Sequence, residues 1–415
     1  MKGTKSSRPV LNGDILLTQI KQLSEVGLDG SGGRTRLAVS EEEKKGRDLV
    51  VGWMKELGLD VRVDKVGNIF GILPGPSGEL DNALMLGSHI DTVINAGPYD
   101  GCYGVLSGLA VIRAFRESGM TPPRPLAVAA FTDEEGVRFQ PDMLGSLVYV
   151  GGMSLEEGLA AADEDGITLG QALEDIGYAG SEEPGFLIPS EYLELHIEQG
   201  PRLDAEGLRI GAVEGVQGIS WWRVTIGGKA NHAGTTPMNL RHDAGLAAAR
   251  VICSMREHTL AAGTTLAATG AIAFEPGLIN VIPSKATFTV DLRDPDGEKL
   301  LLAEKALAEC LEKVARDEGV TVTSEHVASF EPVVFHPELI QKVEDAARRR
   351  GIPSMRMVSG AGHDAQMMAR VCKTAMIFVP SVEGISHNPA EHTEKEDLLL
   401  GAELLLDVVM DLLEN

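Results

Sequence analysis

The chain has 415 residues, 43% of them hydrophobic, and a formal net charge of −24 at pH 7. That length exceeds one ordinary core and predicts two domains, while the charge repels phosphates and argues against nucleic acid or an anionic membrane as partner. The four cysteines, Cys102, Cys253, Cys310 and Cys372, are scattered, which argues against a disulfide framework or a thiolate metal cluster and suits a reducing cytoplasm. The opening stretch MKGTKSSRPVLNGD has no apolar leader core, and no run of about 18 apolar residues follows, so a soluble, unexported protein is expected.

In chain order, Ser40 with Glu43 reads as a capping box, and Leu49, Val50, Trp53, Met54 and Leu57 then recur at helical spacing until Gly58. Strand-like runs follow in NIFGIL and ALMLGSHID, then a helical stretch with Val105, Leu109 and Ile112 on one face, then the apolar run LAVAAFTDEEG. Strand, helix, strand implies a βαβ unit with parallel strands. Residues 151–190 read as helix and loop, and EYLELHIEQG restarts a strand with His196 near its end.

After the glycine-rich GAVEGVQG at 211–218 the period changes to two. Trp222, Val224 and Ile226 alternate with Arg223 and Thr225, and Ala286, Phe288, Val290 and Leu292 with Thr287, Thr289, Asp291 and Arg293. Such alternation predicts an antiparallel sheet with one wet face, accompanied by helices at 242–258 and 297–318. The expected fold is α/β: a mixed, mostly parallel sheet flanked by helices, with an inserted α+β domain carrying an antiparallel sheet. The expected division is 1–212 and 329–415 for the first domain and 213–328 for the insert, the last part adding a helix, the strand TAMIFVP, the loop SVEGISHNPAEHTEKED and a leucine-rich closing helix.

Ligands of an open α/β sheet collect beyond the carboxyl ends of its strands. There the sequence puts His89, Asp100, Glu134, Glu135, His196 and His387, nitrogen and oxygen donors of the kind that hold two cations about 3.5 Å apart across one bridging carboxylate. Any one of them alone reads as a surface or hydrogen-bonded group; six in convergent contexts point to a metal centre. Asp91, two residues after His89, is placed to accept from the other ring nitrogen. If Glu134 and Glu135 are extended, they point opposite ways, one to bind metal and one to take a proton. Arg293, on the polar face of its strand, suits a bidentate carboxylate, the competing reading being an ion pair with Asp291 or Asp294. His363 and Asp364 take a structural or pocket role, Cys102 reads as a small packing residue, and the remaining histidines, apart from His232, read as surface or helix-terminal groups.

The motifs GSHIDTV, GPYDG, FTDEEGVRF, LHIEQGP, ANHAGTTPM, LINVIPSKATFTVDLRD, GAGHDAQMMA and ISHNPAE together resemble the N-carbamoyl-L-amino-acid hydrolases, allantoate amidohydrolases and β-ureidopropionases. These form the amidohydrolase branch of the aminoacylase and carboxypeptidase-like two-metal family, and the resemblance runs from about residue 30 onward. It implies a zinc-exopeptidase-like catalytic domain with two divalent ions per subunit (Zn2+, or Mn2+/Co2+), one held by His89 and His196, the other by Glu135 and His387, with Asp100 bridging. Glu134 would be the general base on the water between them, and a cis peptide would join Asp100 to Gly101. The resemblance further implies that His232 partners the tetrahedral intermediate, that Gln199, Asn280 and Arg293 hold the substrate's polar ends, and that Gly360 and Ala361 line the pocket. It implies a homodimer through the inserted domain, with His232, Asn280 and Arg293 completing the neighbour's site.

The implied reaction is hydrolysis of a linear C–N bond in an N-carbamoyl amino acid or related ureido acid. An aminoacylase or dipeptidase with the same metals is the nearest rival, and a non-catalytic binding protein on the same fold is a rival of another class. LHIEQG favours the first reading, because peptidase-like relatives place a carboxylate where His196 stands. The chain departs from the family at Ala96-Gly97-Pro98-Tyr99-Asp100, where Gly-Gly-x-Phe-Asp is usual, a change at the pocket wall.

Overall fold

A computed structural model describes residues 8–414; the first half of the polar opening stretch, residues 1–7, lies outside them. The chain divides into two compact units, one comprising residues up to Gly215 and from Val334 on, the other Val216–Val333.

The first unit contributes strands β1 (Asp60–Val63), β2 (Ile69–Leu73), β3 (Leu84–His89), β4 (Leu126–Phe131), β5 (Glu191–Ile197) and β6 (Ile210–Val216). The second contributes β7 (Gly218–Gly227), β8 (Asn231–His232), β9 (Leu266–Ala268), β10 (Ile272–Glu275), β11 (Val281–Ile282), β12 (Lys285–Asp294) and β13 (Thr321–Phe330), after which β14 (Val333–Val334), β15 (Ser354–Ser359) and β16 (Lys373–Val379) return to the first sheet.

That sheet runs β1-β2-β4-β3-β5-β16-β6-β14, with β15 beside β6. Its centre is parallel, β4 with β3, β3 with β5 and β5 with β16, while β2 pairs antiparallel with β4 and β6 antiparallel with β16. Strands β3 and β4 are buried at every residue, which explains why their sequences are unbroken apolar runs: helices cover both faces of a parallel sheet. The fold is thus a mixed sheet flanked by helices, and its register puts His89 level with Phe131 and His196 level with Phe378 at the carboxyl ends of neighbouring strands.

The helix Glu41–Glu56 starts at Ser40, whose hydroxyl accepts from Glu43 N at 3.1 Å. The return bond of a capping box is missing, because the buried Glu43 carboxylate turns inward to Arg47 Nε at 2.9 Å.

In the second unit the sheet order is β10-β12-β7-β13, with β9 also on β12, all antiparallel. Its apolar alternate residues, among them Val224, Ile226, Phe288 and Leu292, pack with Ala247, Val251, Leu307 and Leu311 from the helices Ala244–Ala262 and Gly297–Glu318. The unit begins and ends a few residues later than 213–328. The glycine-rich entry is part of β6, which belongs to the first sheet, and β13 pairs with β7 as far as Phe330. Among the described residues no helix is long and apolar enough to cross a membrane.

Candidate metal centre

Asp100 is the hub of the site. It follows the turn after β3, 3% exposed, and its two carboxylate oxygens face different partners. Oδ1 lies 3.2 Å from His196 Nε2 and 3.8 Å from His89 Nε2. Oδ2 lies 3.1 Å from His387 Nε2, which is itself 3.4 Å from Glu135 Oε2. Two groups able to hold a cation therefore share this residue, His89–Asp100–His196 and Asp100–Glu135–His387. The turn is made by Gly101, whose φ is 62° and whose added Cβ would stand 2.4 Å from the His89 ring, so only glycine fits. The expected cis peptide at Asp100–Gly101 is not found: the cis bonds among the described residues precede Pro141 and Pro276, and the positive φ of Gly101 makes the reversal instead.

Asp91 stands beside the other ring nitrogen of His89, as expected, and has a second job. His89 Nδ1 is closest to the Asp91 backbone carbonyl, at 3.1 Å, with the carboxylate at 3.5 Å. The carboxylate also accepts from Glu134 N on one oxygen (3.3 Å) and from Glu135 N on the other (3.2 Å). The two glutamates are thus held apart by a bend, with Asp133 at φ 57°, and not by strand alternation. Glu134 Oε2 ends 3.4 Å from His89 Nε2, and Glu135 Oε1 accepts from Val93 N.

The electrostatics are those of crowded carboxylates. Burial, then neighbouring acids, raises Glu134 well above the usual carboxylate range, and burial and Asp100 push Glu135 up to about 8. Asp100 is held well below its ordinary value by His196 and His387 despite burial. His387, bonded to Asp100, rises to about 9. Like charges packed this closely call for cations between them, and the donors are nitrogen and oxygen only. The residues present therefore fit a pair of divalent ions. Cys102 is not part of the set: its Sγ is 2.9 Å from Nη2 of the buried Arg36, which also donates to the carbonyls of Ile90, Leu23 and Val26.

Gln199, expected to touch substrate, sits at φ 57° with its amide nitrogen 2.9 Å from Asp100 Oδ2 and 3.4 Å from His387 Nε2. Ala361 N donates to Ser359 Oγ at 3.1 Å across Gly360, and the neighbouring His363 ring packs edge-on against His196 at 4.6 Å. Sequence reasoning missed Arg36 and Glu391; both are buried, and the only signal for Glu391 was its place in ISHNPAE.

Three expected substrate residues lie in the second unit. His232 on β8 and Asn280 just before β11 are exposed. Arg293 on β12 is paired with Asp291, its Nη2 2.9 Å from Oδ2 and its Nε 3.1 Å from both oxygens, the arrangement its competing reading described.

A family model described as peptidase family M20/M25/M40 matches residues 85–411. The chain belongs to that family. This M20-family chain is 39% identical over 412 residues to an N-carbamoyl-L-amino acid amidohydrolase of Geobacillus stearothermophilus, covering 98% of the chain and 100% of the relative. It is 34% identical to an allantoate amidohydrolase of Bacillus subtilis, over 95% of the chain and 96% of the relative. A hydantoinase/carbamoylase family amidase from Burkholderia multivorans has a similar structure, with a TM-score of 0.94 and 41% identity over 97% of this chain and 98% of that one. With these relatives the M20-family chain is a hydrolase acting on amide C–N bonds.

Proposed function

We propose that the chain hydrolyses the linear C–N bond of an N-carbamoyl amino acid or a related ureido acid, using two divalent cations, zinc, manganese or cobalt, at the Asp100 centre. The observation that carries the reading is the division of the Asp100 carboxylate between His89 and His196 on one side and Glu135 and His387 on the other, with Glu134 beside it. The substrate class comes from the relatives, one named for N-carbamoyl-L-amino acids and one for allantoate.

When bound, the cations lower the pKa of water and neutralise charge developing on the carbonyl oxygen. Glu134 takes the proton of the attacking water and delivers it to the leaving nitrogen, a task suited to a carboxyl raised by burial. Asp91 fixes Glu134 and Glu135 through their backbone N–H groups. Gln199, Gly360 and Ala361 contact substrate from the first unit, and His232, Asn280 and Arg293 from the second, with Arg293 exchanging Asp291 for the substrate carboxylate.

The protein acts as a homodimer through the second unit, where β10 ends its sheet with Ile272, Phe274, Leu278 and Ile279 exposed nearby. The four free cysteines suit a cytoplasmic location. The test is a panel of L- and D-N-carbamoyl, N-formyl and N-acyl amino acids with allantoate, assayed before and after chelation. Turnover of N-carbamoyl acids or allantoate that chelator abolishes is expected; turnover of N-acyl acids alone would defeat the proposal.

A further inference from the structure

We propose that Glu391 is a positioning residue that sets where Asp100 stands, joining the segment that supplies Asp100 to the segment that supplies His387; this rests on the two-cation reading above. Glu391 is 4% exposed. Its Oε1 accepts from Tyr99 N at 2.8 Å and Asp100 N at 3.3 Å, and its Oε2 accepts from Ser386 Oγ at 3.0 Å. Ser386 Oγ lies in turn 3.4 Å from Asp100 Oδ2. One carboxylate thus fixes the backbone of the residue shared by the two cation groups and takes the single hydroxyl proton of Ser386, which stands between Glu391 and Asp100 Oδ2.

The fit is built from both sides. Gly97, in the stretch that departs from the family pattern, passes so close that an added Cβ would be 2.2 Å from Glu391 Cβ and 2.4 Å from Oε1. On the other side, Glu391 N donates to Asn388 O at 3.0 Å, closing a turn that begins one residue after His387, which is itself at φ 52°. The Glu391 carboxylate bonds to two backbone N–H groups and a hydroxyl, none of them a proposed cation ligand atom, so it acts through the position of Asp100. Burial and then the Asp100 charge raise the Glu391 carboxyl to about 7, and once ionised it accepts from the two N–H groups in hydrogen bonds of the strong kind.

Removing such an outer support of a ligand weakens metal binding roughly 10- to 100-fold. The experiment titrates metal-free wild type, Glu391→Ala and Glu391→Gln with Co2+ alone, following the visible absorption of the bound ion and the stoichiometry, with thermal melting run alongside. Glu391→Ala is expected to bind at least one Co2+ about tenfold or more weakly and with a changed spectrum. Glu391→Gln, which keeps an acceptor for the two N–H groups, should recover most of the affinity. Should Glu391→Ala fail to fold, Gly97→Ala, which pushes on the same carboxylate, should show the weakened binding. Two ions at wild-type affinity with an unchanged spectrum in a folded Glu391→Ala would overturn the inference while leaving the two-cation reading intact. Fewer than two ions in wild type itself would instead sink that reading, and this inference with it.

Discussion

Glu134 and Glu135 are chemically identical neighbours given different surroundings. Glu135 is tied by Val93 N and faces His387, whereas Glu134 reaches toward His89 without a backbone donor on its carboxylate. A glutamate left this way can move a proton. Glu134→Gln keeps the shape and removes the base, so kcat on an N-carbamoyl amino acid should fall by about 10²–10⁴-fold while metal content stays at the wild-type level. Steady-state kinetics with metal analysis on the same samples checks this, and loss of the metal would make Glu134 a ligand instead.

At the same scale, the hydrogen bond to Asp100 and then the charge of Glu135 hold His387 at about 9 before any cation is present. Its raised pKa means that it is protonated below that value, and a cation must displace the proton. Apparent affinity should therefore climb with pH throughout the range below about 9 and level off above it, with proton release on binding. Calorimetric titration in buffers of different ionisation enthalpy measures that release; a pH-independent affinity would contradict it.

Among the elements, the helix Glu41–Glu56 supports the site indirectly. Arg47 pairs with Glu43 in the interior and donates to Gly67 O at 2.6 Å and to Thr132 Oγ1 at 3.2 Å, just ahead of Asp133 and Glu134. Arg47→Met strands a buried carboxylate and should cost about 3–5 kcal/mol, while the double replacement Glu43→Leu with Arg47→Met should cost much less. Urea denaturation of both variants checks the difference. What was legible in the sequence divides along the same line. The runs ending in His89 and Phe131 gave strands because a sheet covered on both faces has a period-free apolar pattern, and the alternation around Trp222 and Phe288 gave the second sheet. The bend at Asp133, the left-handed turns at Gln199 and His387 and the burial of Arg36 and Glu391 were not legible, because partners far away in sequence impose them: Gln199 N meets Ser381 and Glu391 meets Tyr99.

For the whole molecule, the proposed dimer predicts that His232 of one subunit serves the site of its partner. His232 and Asn280 are exposed beside the paired β8 and β11, and the proposed dimer uses the same unit. A closed twofold dimer makes any contribution across it reciprocal. Glu134→Gln and His232→Ala should each be nearly inactive alone, since each removes a different group from every site. Co-expressed in equal amounts they form heterodimers in which, if His232 acts across the interface, one site combines an intact Glu134 with an intact His232 from the other chain and the second site lacks both. Random pairing makes about half the dimers mixed, so activity should return to about a quarter of wild type. If His232 instead serves its own chain, every site in the mixed dimer lacks one group and the mixture stays as inactive as its parents, which the N-carbamoyl amino acid assay on the purified mixture would reveal.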